Sequence, residues 1–162
     1  MKRLLVVGLV LTVALLSRVQ PAAAHCQVPC GIFEDEHRFE AMLEDQTTIA
    51  KAMTNIREMA GKTEPLSLNQ LARWVATKET HADHVQEVIA QYFMAQRIKP
   101  GTDDASNQAY VKKLVAAHAV MTAAMKCKQN VDAAVAETLQ KAILDFYRAY
   151  EGKEPAFAQP KK

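Results

Sequence analysis

Apolar residues recur at three- and four-residue spacing along most of this chain, in four separate runs. Phe39, Met42, Leu43, Ile49, Met53 and Ile56 predict a helix from about Glu34 to Met59, ended by Gly61 and Pro65. Leu71, Trp74, Val75, Val85, Val88, Ile89, Tyr92 and Phe93 predict a second helix from about Ser67 to Arg97. Ser67 with Gln70 three residues on reads as a capping box at its start. The third run, Tyr110, Val111, Leu114, Val115, His118, Met121 and Met125, spans roughly Ser106 to Lys128. The fourth, Val135, Leu139, Ile143, Phe146 and Tyr147, spans about Asp132 to Tyr150. "KPGTDD" and "QNVD" break the pattern between runs, and Gly152 and Pro155 close it. No strand-like alternation competes. The expectation is an all-α antiparallel up-down four-helix bundle over residues 34–150, followed by a flexible tail at 151–162.

The first 24 residues follow a different rule. Lys2 and Arg3 precede an apolar run from Leu4 to Leu16, and Ala22-Ala23-Ala24 supplies small residues for cleavage. This is the anatomy of a signal peptide, with the cut before His25. The apolar run is short for a bilayer span. The expected product is an exported bacterial protein, periplasmic or extracellular, with no stable membrane association and a signal or maturation peptidase as a transient partner. Removing the leader changes the charge. The whole chain has 20 Lys+Arg against 18 Asp+Glu, and the leader takes three of the basic residues and none of the acidic ones. The mature chain is therefore at a formal −1, which leaves no broad basic field for nucleic acid.

Cleavage also creates chemistry. "HCQVPCGIF" would begin the mature chain, and its first residue would carry a free α-amine. That amine, the Cys26 amide nitrogen and the Cys26 thiolate form successive chelate rings, and Cys30 adds a second thiolate. Planar coordination of this kind selects Cu(II) or Ni(II), whereas a tetrahedral arrangement of two sulfurs and two nitrogens would select zinc. Pro29 stiffens the loop between the cysteines and Gly31 permits a sharp exit from it. The His25 imidazole stays free to approach the metal axially, and Glu40 is a candidate to orient it through a hydrogen bond. A Cys26–Cys30 disulfide is the alternative use of the same two thiols in an oxidising compartment. Cys127 is left over as a lone thiol.

Elsewhere the metal-binding signals are incomplete. His81 and His84 sit one turn apart in "KETHADH", but such a pair needs ligands from other helices. Only one Glu-x-x-His motif occurs, Glu34 to His37, where a di-metal bundle needs two. His118 is expected in the core or at an interface.

"HCQVPCG" resembles the hook of the nickel superoxide dismutase family, in which His-Cys-x-x-Pro-Cys-Gly-x-Tyr opens the mature chain. "RFE" at 38–40, "RWVATKETHADHVQEVIAQYFMAQRIKP" at 73–100 and "AMKCKQ" at 124–129 are similar to the form of this family in marine bacteria. The resemblance implies a four-helix bundle assembled as a homohexamer, with one nickel ion per subunit. It implies that superoxide is converted to dioxygen and hydrogen peroxide through a Ni(III)/Ni(II) cycle. It makes His25, Cys26 and Cys30 the metal ligands within a hook, residues 25–33, shaped by Pro29 and Gly31. It makes Glu40 the carboxylate that orients the His25 imidazole, and it puts a histidine of the 81/84 region where the family has an arginine. Tyr92 matches a tyrosine near the substrate entrance. Phe33 departs from the pattern, standing where the family has the tyrosine that lines the substrate pocket. That departure gives a second functional reading, an exported four-helix protein that binds nickel or copper without catalysis. A third is a helical bundle whose N-terminus is merely pinned by a Cys26–Cys30 disulfide.

Overall fold

The computed structural model describes residues 35–157, and within them the chain is helical with no strand. Helix α1 spans Glu36–Met59, α2 Pro65–Glu87, α3 Asp104–Gln129 and α4 Ala133–Glu151. A π-helical segment, Val88–Arg97, continues α2 without a break. Each helix packs on its neighbour in sequence, and α4 returns to pack on α1, so the four close into a bundle. The connections are short, as antiparallel neighbours require.

The helix ends show which local signals were read by the fold. Asp103 caps α3 by accepting from the Ser106 backbone nitrogen at 2.8 Å, and the Ser106 hydroxyl accepts from the Asp103 nitrogen at 3.1 Å. A methyl group at Gly101 would collide with the backbone of Ser106 and Asn107, so only glycine fits the approach to this cap. Asp132 caps α4 through the Ala134 nitrogen at 3.0 Å, and Gly152, in the left-handed region at φ 72°, ends it. The start expected for the second helix is corrected. Helix α2 begins at Pro65 after Glu64, two residues ahead of Ser67, because proline at the first helical position is pre-set for helix and has no amide to leave unbonded.

The core is aromatic at one end of the bundle. The Phe39 ring of α1 meets Phe93, Tyr147 and Phe146 at centroid distances of 4.9, 5.0 and 5.2 Å. Phe93 in turn meets Phe146 at 4.9 Å and Tyr150 at 5.1 Å. Tilted and edge-on contacts of this kind add to the burial of the rings themselves. Buried polar side chains also cross between helices. Gln46 donates to the Ala136 carbonyl at 3.0 Å. Lys78 donates to the Cys127 carbonyl at 2.9 Å and to that of Lys128, which places a positive charge at the electron-rich end of α3.

Helix α3 departs from the expected phase. Val111, Val115, His118 and Met125 lie on the exposed side, and the buried residues are Ala117, Val120, Ala123, Ala124 and Cys127. Small side chains let α3 pack closely; of the expected stripe, Tyr110, Leu114 and Met121 pack partly buried against the core, and the other four residues are left outside. Within the expected tail, Phe157 sets its ring against Tyr147 at 5.0 Å and Glu154 pairs with Arg148 at 2.8 Å, so this part is held against α4. No helix among the described residues is long and apolar enough to cross a membrane.

Candidate functional site

The residues expected to bind metal, His25, Cys26 and Cys30, lie outside the described residues, as do Pro29, Gly31 and Phe33. What the structure describes is the platform to which that segment is joined. Asp35 stands at the head of α1 and its side chain is 9 % exposed. Its backbone is helical, at φ −59° and ψ −23°, and its carboxylate makes no bond to its own helix start but faces other elements. One oxygen, Oδ1, accepts from the Tyr92 hydroxyl at 2.5 Å. The other, Oδ2, accepts from the Tyr150 hydroxyl at 2.5 Å and from Arg97 Nη2 and Nε at 2.7 and 3.0 Å. The next residue, Glu36, accepts from the Tyr147 hydroxyl at 2.7 Å.

Burial raises the Asp35 pKa, but the bonds from Tyr150, Tyr92 and Arg97 outweigh it and the carboxyl stays below its ordinary range. The partners respond in the opposite sense. Burial and then the bond to Asp35 push the Tyr92 and Tyr150 phenols up, and the same bond keeps Arg97 firmly cationic. The cluster is a fixed ionic node. It has no proton to release near neutral pH.

The π-helical segment is what brings Tyr92 and Arg97 to the same carboxylate. Five residues along an α-helix turn a side chain by about 140° away from the first. A π-helix closes its turn five residues apart, as the Ile98 nitrogen does on the Phe93 carbonyl at 2.8 Å, and positions five apart come round to one side. The Arg38 guanidinium lies over the Tyr92 ring at 4.7 Å from its centroid. Tyr92, the residue expected at the substrate entrance, is therefore held at its hydroxyl and covered on one face.

Glu40 lies on the exposed side of α1, where His37 Nδ1 meets its Oε2 at 2.8 Å. His81 and His84 converge on one carboxylate, that of the buried Asp45. The two Nδ1 atoms donate to its Oδ1 and Oδ2, both at 2.6 Å. This cleft, of about 400 Å³, is also lined by Thr80, Asp83 and Glu87. Sequence reasoning found both histidines and missed Asp45, whose place in an α1 run of mixed polar residues gives no sign of burial. Asp35 was missed because its partners come from distant parts of the chain. Cys127 is buried and free, and burial pushes its thiol up to about 11. Among the described residues, no group of three or more histidine, cysteine and acidic side chains could hold a metal ion.

Comparison with known proteins bears on the whole span. The family model for nickel-containing superoxide dismutase matches residues 20–154. No curated protein and no solved structure matches the chain.

Proposed function

The chain belongs to the nickel-containing superoxide dismutase family, and from that premise we propose that residues 25–33 form its nickel hook. The enzyme takes superoxide as substrate and nickel as cofactor. The observation that carries the ligand assignment is the donor set of "HCQVPCG" at a predicted cleavage point. Thiolates of Cys26 and Cys30, with the His25 amine and imidazole and the Cys26 amide nitrogen, suit nickel by type. Nickel bound there would supply a one-electron couple, Ni(III)/Ni(II), by which one superoxide is oxidised to dioxygen and the next, with two protons taken up from solvent, is reduced to hydrogen peroxide.

The protein's own residues do the rest. Pro29 and Gly31 shape the hook, and Glu40 orients the His25 imidazole, which sets its basicity as a ligand. Phe33 and Tyr92 line the substrate path. With a phenyl ring at 33 the path has one hydroxyl fewer than in the family pattern, so Phe33→Tyr should change KM or inactivation by peroxide and leave nickel content unchanged. We read residues 1–24 as a leader whose removal before His25 makes the amine ligand, with export as the consequence. The assembly is read as a homohexamer with one nickel ion per subunit. The exposed apolar positions Val111, Val115, Leu68 and Val75 support burial in such an assembly.

The test is direct. Protein beginning at His25 should bind nickel and remove superoxide. Cys26→Ser, Cys30→Ser and a single residue added before His25 should each abolish the activity. Full activity with the leader still attached would sink the hook as the site.

A further inference from the structure

Asp35 gathers a tyrosine and an arginine from the π-helical segment and a second tyrosine from the last turns of α4. The chemistry proposed above uses only one of these, Tyr92. We propose that Asp35 is a positioning residue for the metal hook, fixing with Tyr92, Arg97 and Tyr150 the point at which the hook joins the bundle. This rests on the reading of His25, Cys26 and Cys30 as the nickel ligands.

Three observations carry it. First, Asp35 is already in the helical region, at φ −59° and ψ −23°, and its carboxylate makes no bond to its own helix start; it accepts four bonds from two other elements, at 2.5, 2.5, 2.7 and 3.0 Å. Second, the donors are themselves rigid. Tyr150 packs on Phe93 at 5.1 Å and Tyr92 meets Phe93 edge-on at 5.2 Å, while Tyr147 holds the adjacent Glu36. Asp35 is thus tied to the close-packed aromatic end of the core. Third, a π-helical turn brings Tyr92 and Arg97 to one side, and such turns are rare and frequently found at functional sites. Cys30 lies five residues before Asp35. Whatever path the chain takes, that ligand is within about 18 Å of the clamp. So short a tether limits how far that ligand can stray from the clamp.

The experiment uses the mature chain from His25, loaded with nickel, with Asp35→Asn and Tyr150→Phe. The readouts are thermal stability without metal, the rate of nickel loss to a chelator, and the electron paramagnetic resonance spectrum of the oxidised metal. Both variants should release nickel faster, Asp35→Asn by roughly 10-fold, with an altered nitrogen splitting from the axial ligand. Lowered stability with unchanged nickel release and an unchanged spectrum would show that Asp35 only secures the helix start, and would overturn the proposal. If Asp35→Asn does not fold, Tyr150→Phe decides on the same readouts, since it removes one hydroxyl and keeps the ring on Phe93. The ligand reading is checked separately on the unsubstituted protein. If Cys26 and Cys30 stay reactive to a thiol reagent after nickel is bound, that reading fails and the positioning role falls with it.

Discussion

At Asp35 two effects oppose each other. Burial raises the carboxyl pKa, while the bonds from Tyr150, Tyr92 and Arg97 favour the ionised form and win, so the pKa falls below its ordinary 3.8. A depressed carboxyl contributes stability above its unfolded pKa and loses it as the pH falls through the lower, folded value. The stability difference between the unsubstituted protein and Asp35→Asn should therefore be full at neutral pH and should shrink below about pH 3.8. Urea unfolding at a series of pH values measures it, and a difference that grew on acidification would refute the assignment. Cys127 offers a second check. Its thiol is buried and raised to about 11. In reduced, metal-free mature protein, a thiol reagent at mildly alkaline pH should reach two of the three cysteines at once and the third only on unfolding. Rapid reaction of all three would put Cys127 at the surface. The proposed hook and Asp35 differ in legibility for one reason. The residues proposed as ligands fall within residues 25–30 and can be read in order, whereas the partners of Asp35 lie 57, 62 and 115 residues away in sequence. No local pattern records such a meeting.

Among the elements, the four helices were legible because each carries an apolar face at helical spacing, and the bundle followed from their short connections. Two properties were not. Helix α3 buries Ala117, Val120, Ala124 and Cys127 and exposes Val115 at 65 %. Large apolar residues draw the eye to a stripe, but close packing of two helices favours small ones, so size misled the phase. The π-helical turn was also hidden, because its residues fit an α-helix equally well by propensity. Its role can be tested by changing its length. Deleting Ala95 sets Tyr92 and the arginine four apart, the spacing at which an α-helix places two side chains on one face. Inserting an alanine there sets them six apart, which neither helix aligns. The deletion should retain the clamp and most of the thermal stability; the insertion should lose both. Equal losses from the two changes, seen in thermal melts, would mean that spacing to Arg97 is not what the π-turn provides.

The molecule as a whole joins a well-packed bundle to a surface that is incompletely polar. Val111 and Val115 are 50 % and 65 % exposed and His118 follows on the same side of α3, at positions i, i+4 and i+7. The adjoining α2 exposes Leu68 and Val75, seven residues apart. A chain beginning at His25, as proposed, would be near −1 and would have little net charge to oppose association of identical copies. If the chain assembles as proposed, these features favour burial of its α2–α3 side between the copies, the same side that misled the phase of α3. Val115→Asp separates the two roles of that surface. An exposed substitution changes the stability of a lone subunit by no more than about 0.5 kcal/mol, but a carboxylate in an apolar interface between copies is strongly disfavoured. Light scattering should report a hexamer for the mature protein and a smaller species for the variant, with helicity retained. If unsubstituted protein runs as a monomer that still removes superoxide, the bundle and hook suffice alone, and the exposed valines need another explanation.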